Sequence, residues 1–346
     1  MKITIIIADI TRTGGTERAT VNLANILAKD HQLTILSLGR SGASFFKLES
    51  AITLHFLNIG DIPVALKGKV FWYYKFYKRT INYFKKHSAD TIIGQGHNIN
   101  VFLPFFRRGN TKVFACEHID YDTIPGVSKK LMKFCYPQLN GLVVLSEIAK
   151  NKLKKFNKNI YIIPNSLPFE TEQTSSQNNR NLIMVGRISK EKGYERIIPI
   201  AKNLSIDFPD WRIDIYGDGE MKIDLLQLIK NHNIHNVFLH NPVDNIMNKY
   251  IESSILLMTS YSEAMPMVIL EANHCGLPIV AFRNEGTETL IDNTGYIADN
   301  SDEFYKNLKI LIENKILRNT LSRNARNYAE QYRKRHIEDK WKILLL

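Results

Sequence analysis

Apolar positions along the chain follow two rhythms. Short, nearly continuous runs rich in Ile, Val and Leu fall at residues 3–8, 32–38, 52–59, 90–95, 111–117, 141–146 and 159–164. Between them apolar residues return every three or four positions, as Val21, Ala24, Leu27 and Ala28 do. The first rhythm predicts strands buried on both faces, the second helices packed on one. Residues 166–180, SLPFETEQTSSQNNR, are polar and aperiodic. The alternation then restarts, with strands predicted at 181–187, 211–217, 236–240, 254–260, 278–282 and 295–298. Residues 317–346 read as one or two basic helices.

Strands alternating with helices predict parallel sheets covered on both faces. The expected fold class is therefore α/β, with two Rossmann-like domains facing a central cleft. The expected division is 1–165, a linker at 166–180, a second domain at 181–325, and a helix at 326–346 packing back on the first domain. Ligands of such sheets bind outside the carboxyl ends of the strands, so the loops after strands are the place to look.

Composition changes this picture little. A length of 346 residues suits two domains, and 44% hydrophobic with 23% charged residues is ordinary for a globular protein. No apolar run approaches the ~18–20 residues that span a bilayer. The opening MKITIIIADI leads into a glycine loop without a small-residue cleavage site, so it reads as a first strand rather than a signal peptide. Cys116, Cys135 and Cys275 form no CxxC pair, which points to reduced cytosolic thiols and away from zinc.

Charge is lopsided. Residues 1–170 hold 24 Lys and Arg against 11 Asp and Glu, whereas residues 171–346 hold 22 against 23. The first half should attract an anionic surface or a polyphosphate.

Several loops after predicted strands carry candidate chemistry. Gly14-Gly15 precedes a helix, where backbone can approach an anion closely; an ordinary strand-to-helix turn explains it as well. Arg187 and Lys192 flank a loop after a strand, a fork and a point charge suited to a diphosphate, although basic loops are common on surfaces. Gly217 lies in YGDGE at another strand end. The stretch SYSEAMPMVILEANHCGLPIVAF places Glu263 and Glu271 eight positions apart around Pro266, expected as the first helical residue. Carboxylates there can hold vicinal hydroxyls, while amides near Met265–Val268 face the ligand. A helix dipole alone accounts for Glu263 better than for Glu271.

GGTERATVNLANIL, GRISKEKG, YGDGE and the Glu-x7-Glu stretch, in this order, resemble the retaining glycosyltransferases of family 4, of two-domain GT-B fold. The resemblance covers nearly the whole chain. It implies a nucleotide-sugar donor, UDP-linked most often, and no metal or other cofactor. It implies that Glu271 holds ribose hydroxyls and that Glu263 contacts the donor hexose. Met265, Pro266 and Met267 would lie near the sugar and distal phosphate, with Arg187 and Lys192 on the diphosphate. Gly14 and Gly15 would approach from the other domain, and His118 would lie beside the sugar, though a lone histidine is more often structural. Ala264 stands where relatives commonly have glycine, and Asn284-Glu285-Gly286 where they often have paired glycines. Asp120-Tyr121-Asp122 has the form of a metal-binding DxD but reads as a solvated loop.

Residues 62–89 contain no acid. On a helix, Lys75, Lys78, Arg79, Asn82 and Lys86 form a basic stripe, roughly opposite Tyr73, Phe76, Tyr77, Ile81 and Phe84. The pattern suits an anionic membrane interface or the diphosphate of a lipid carrier, and also a surface helix that packs its aromatics inward. The expectation is a cytoplasmic enzyme, peripheral on the inner face of the plasma membrane. It would move a hexose or N-acetylhexosamine to a lipid-linked or polysaccharide acceptor, with no nucleic-acid partner. Its rivals are a nucleotide-sugar epimerase, which needs no acceptor, and a non-enzymatic polyanion binder.

Overall fold

The structure, a computed structural model, describes residues 1–63 and 65–346. It divides into two compact units, Met1–Ser166 with Lys334–Leu346, and Leu167–Arg333.

The first unit holds strands β1 (Lys2–Ile7), β2 (Gln32–Ser37), β3 (Thr53–Phe56), β4 (Thr91–Gln95), β5 (Lys112–Cys116), β6 (Gly141–Val144) and β7 (Ile160–Ile162). All are parallel, in the order β3-β2-β1-β4-β5-β6-β7. Its helices are α1 (Gly15–Leu27), α2 (Leu66–Lys86), α3 (His97–Asn100), α4 (Leu103–Phe106), α5 (Gly126–Cys135) and α6 (Glu147–Leu153). Residues 3–7 of β1 are all buried, because helices cover both faces of the sheet. One face packs Ile6 and Ile92 against Phe76 of α2 and Met132 of α5. The other packs Ile5 and Ile93 against Val21 and Leu27 of α1.

The second unit holds β8 (Asn181–Val185), β9 (Arg212–Tyr216), β10 (Val237–His240), β11 (Ile255–Met258), β12 (Ile279–Phe282) and β13 (Gly295–Ala298). They too are all parallel, in the order β10-β9-β8-β11-β12-β13. Helices α7 (Ile197–Asp207), α8 (Lys222–Asn231), α9 (Ile246–Ile251), α10 (Met267–His274), α11 (Glu285–Leu290), α12 (Ser301–Glu313) and α13 (Lys315–Ala329) connect and follow them. A 3-10 turn at Glu330–Tyr332 ends this unit, and α14 (Lys334–Leu345) returns to the first. There Ile337, Trp341, Leu344 and Leu345 join the core around Ile5.

From Leu167 onward the polar stretch 166–180 lies along the second unit. Ser175 N–H donates to the Cys275 carbonyl (2.9 Å), and the buried Gln177 side chain donates to the Gly276 carbonyl (3.0 Å). Its polarity serves buried hydrogen bonds that an apolar segment would leave unmade.

Candidate functional site

In the second unit the singled-out residues gather where the strands end. Gly186 and Arg187 follow β8, Gly217 follows β9, residues 259–266 follow β11, and Asn284 follows β12. Glycines let these turns meet backbone to backbone. A Cβ on Gly217 would lie 2.0 Å from the Gly186 carbonyl oxygen, so no side chain fits there. After Arg187 the chain makes a 3-10 turn, Lys190–Lys192, closed by Gly193 in the left-handed region (φ 60°). That turn is tied to the end of β11: Thr259 Oγ1 donates to the Lys192 carbonyl (3.0 Å), and Tyr261 N–H to that of Glu191 (2.9 Å).

This stitching carries Lys192 onto Glu263, 71 residues away, where the two form an ion pair. Ser260 Oγ donates to the same carboxylate oxygen (2.9 Å). The Glu263 carbonyl accepts from Gly286 N–H (2.8 Å), and the Asn284 side chain donates to the Ser260 carbonyl (3.1 Å). A Cβ on Gly286 would meet Pro266 Cδ at 2.5 Å. The Glu263 loop is thus held from both sides. Beneath it Tyr194 is buried, and burial, then the Glu263 charge, push its phenol well above its ordinary range.

Pro266 is extended (φ −68°, ψ 116°) and stands one position before α10, not within it as the sequence suggests. The shift arises because its carbonyl opens the helix by accepting from Ile269 N–H (3.1 Å). Amides in the first helical turn have no carbonyl a turn earlier to bond, so those of Met267 and Val268 start the helix facing its N-terminal side. Ala264 is buried and carries no left-handed strain: among the described residues the non-glycine positions with positive φ are Asn58, Gln177, Asn233 and Asn293. Glu271 is the fifth residue of α10, fully buried, and accepts from Tyr250 Oη (2.8 Å). Arg187 pairs with Glu191, four residues further on. Glu263 and Lys192 therefore meet directly, while Arg187 and Glu271 keep separate partners.

Gly14, Gly15 and His118 belong to the first unit. Gly14 caps α1 in extended conformation, and a Cβ on it would meet Glu17 Oε2 at 2.3 Å. His118 follows β5, half-buried, its Nε2 against Gln95 Oε1. Burial lowers its pKa to about 4, so its imidazole is neutral at neutral pH. Beside it Glu117 is buried and accepts from Tyr136 Oη and from Asn100 Nδ2 (2.7 Å). Burial raises its pKa to about 7 against those two hydrogen bonds. Asp120 and Asp122 both pair with Lys152 (2.9 and 2.7 Å).

The basic helix forms as α2, with some of its charges already employed. Arg79 donates to the carbonyls of Leu57 and Asn58, holding the chain after β3. Lys75 lies over the Phe71 ring (5.1 Å) and Lys78 over Tyr74 (5.7 Å), while Lys86 is exposed.

Sequence reading missed Ser260, Tyr194, Tyr250, Glu117 and the contact between Gly286 and Glu263. The only signal for the last was a lone glycine after a strand.

Known proteins place this architecture. The model described as "Glycosyltransferase Family 4" matches residues 13–170, and "Glycosyl transferases group 1" matches 168–328. An uncharacterized glycosyltransferase of Haemophilus influenzae is 30% identical, covering 99% of each chain. The amylovoran biosynthesis glycosyltransferase AmsD of Erwinia amylovora is 27% identical, again over 99% of each. The third relative is the "GalNAc-alpha-(1->4)-GalNAc-alpha-(1->3)-diNAcBac-PP-undecaprenol alpha-1,4-N-acetyl-D-galactosaminyltransferase" of Campylobacter jejuni, 26% identical over 100% of this chain and 98% of that one. Among solved structures, a mutant of S. aureus TarM, in complex with Fondaparinux, alpha-GlcNAc-glycerol and UDP, superposes with a TM-score of 0.80 at 15% identity, over 99% of each chain. Anabaena HepE with UDP-glucose gives 0.79 at 16%, over 100% of this chain and 99% of that one. Two doubly wound parallel-sheet units of this kind define the GT-B fold. The chain belongs to the GT-B glycosyltransferases.

Proposed function

We infer that the protein transfers a hexose or N-acetylhexosamine, with retention of configuration, from a UDP-linked donor to a lipid-linked or polysaccharide acceptor at a membrane surface. The observation that carries this reading is the Lys192–Glu263 pair, fixed by Ser260, Gly286 and the 187–193 turn at the carboxyl edge of a parallel sheet. Such a pair presents a cation for a diphosphate and a carboxylate for sugar hydroxyls within one rigid loop set. The UDP carried by TarM and the undecaprenol-linked acceptor in the name of the Campylobacter relative support the choice of donor and acceptor.

In this reading Lys192, Arg187 and the first amides of α10, those of Met267 and Val268, stabilise charge on the departing diphosphate, with Met265 and Pro266 beside the sugar. Glu263 orients the sugar, and Glu271 orients the ribose. Gly217 keeps the floor of the site free of side chains. The bond from anomeric carbon to phosphate oxygen breaks as the acceptor oxygen bonds on the same face, and the leaving phosphate takes the acceptor proton. The reading assigns no metal and no cofactor to this step.

Calorimetric titration with UDP, GDP and ADP tests it. The expected result is saturable binding of UDP that is weakened by Arg187→Ala and Glu271→Gln. Equal weak binding of all three, insensitive to both changes, would overturn it. Sugar release that needs an acceptor separates transfer from epimerisation.

A further inference from the structure

The outward side of the first unit carries apolar groups that the core does not use. On α2, Leu66, Val70, Tyr74 and Tyr77 recur at four- and three-residue steps, all exposed, Leu66 by 78%. On α5, Val127, Leu131 and Phe134 do the same, Phe134 by 74%. The inner sides of both helices pack into one core on one face of the sheet, so both stripes turn away from it. Exposed Phe105 of α4 touches Tyr77 (ring centroids 6.2 Å), extending the α2 stripe. In the second unit exposed Ile206 and Ile316 stand on different helices, and Ile223 and Leu226 of α8 make one short pair rather than a stripe.

Charge says what covers this side. Residues 62–146 hold 13 Lys and Arg against four Asp and Glu. Of those four, Glu117 is buried, and Asp120 and Asp122 are paired with Lys152. Exposed Lys67, Lys78, Lys130 and Lys133 flank the two stripes. Apolar and aromatic side chains with lysines around them suit the headgroup boundary of an anionic bilayer, where rings and stems bury while ammonium groups meet phosphate. A protein partner would add acids to meet the lysines but would not need two separate apolar stripes. No helix among the described residues is long and apolar enough to cross a membrane.

We propose that the outer faces of α2, α4 and α5 together form a docking surface for an anionic lipid bilayer, with the α5 stripe as a second insertion element beside α2. The proposal deepens the membrane-surface part of the function inferred above and rests on it only there.

The test is co-sedimentation with vesicles of phosphatidylglycerol mixed with phosphatidylcholine, against phosphatidylcholine alone. Binding is expected to the anionic vesicles only and to weaken with salt. Leu131→Glu with Phe134→Glu, and separately Val70→Glu with Tyr74→Glu, should each lower partitioning at least about tenfold. Ile316→Glu, on the second unit, should leave it unchanged. Phe134→Trp should shift its emission to the blue on vesicle addition. All these positions are exposed, so the folded state tolerates them. Three results would overturn the proposal: binding that ignores both double variants, binding only when a polyprenyl diphosphate is added, or a dimer in solution that the same variants dissociate. UDP titration of each variant keeps the two readings apart, because a failed docking surface leaves donor binding intact, and a failed donor site leaves vesicle binding intact.

Discussion

The two units share one grammar and differ in what they expose. Each is a parallel sheet with helices on both faces, and each has its first strand near the middle. In the second unit the informative residues are in the loops, where glycines at 186, 193, 217 and 286 let backbone touch backbone and bring Lys192 to Glu263. In the first they lie largely on the outer helices, where lysines surround exposed rings. The sheet fixes a place for chemistry at its carboxyl edge, but loop closure and surface charge decide which half uses it and for what. On the function and docking surface proposed above, similar scaffolds would carry unlike tasks, a soluble donor bound by one and a surface met by the other.

The contrast breaks most visibly at Glu263. Glu263→Gln keeps the shape of the loop but removes the charge that faces Lys192, and should lower kcat roughly 10²–10³-fold while vesicle binding stays intact. Steady-state transfer beside co-sedimentation checks this, and an unchanged kcat would move the chemistry out of the second unit. Next in size is an acid response. His274 is buried, accepts from Thr171 N–H (3.0 Å), and has its pKa lowered to about 4 by burial, then by the Arg326 charge. The unfolded chain binds the extra proton between pH 6.5 and 4, so this contribution is whole above pH 6.5 and fades as pH falls towards 4, by on the order of 2–3 kcal/mol. His274→Gln should flatten that loss in denaturant midpoints measured against pH.

Glu117, in the first unit, has the opposite sign. Its pKa is raised to about 7, so its contribution is whole below its ordinary value of 4.5 and is lost as pH rises to about 7. Glu117→Gln should remove that decline from the same midpoints. Smaller still, Arg187→Ala should weaken UDP about tenfold, since in the proposed site the guanidinium, here paired with Glu191, is one of two cations on the diphosphate. The smallest expected effect is none: a chelator should leave transfer unchanged, because Asp120 and Asp122 are both already engaged by the Lys152 ammonium. A tenfold loss would reopen that loop as a metal site.

Strand positions were legible because a buried parallel strand is apolar almost throughout, as β1, β6, β11 and β12 are; β3, β7 and β13 are more exposed. The Glu-x7-Glu stretch was legible because proline, helix start and carboxylates are near neighbours in sequence. The Lys192–Glu263 pair was not, since it depends on two loops meeting across 71 residues. Nor was the outward side of α2. Aromatics occur around nearly its whole circumference, so periodicity alone could not tell buried Trp72 and Tyr83 from exposed Tyr74 and Tyr77. Arg79 read as one more surface cation, whereas it holds two backbone carbonyls after β3.

The return of α14 to the first unit has a consequence for synthesis. Trp341, Leu344 and Leu345 complete the core around Ile5 and Leu27, yet residues 167–333 must be made before they emerge. At about 5–20 residues per second, those intervening residues take roughly 8–33 s. For that interval the nascent first unit presents a bare apolar strip on its α1 side. Ribosome-associated chaperones that recognise exposed apolar chain have their natural opportunity there, and it closes only when the last helix folds home.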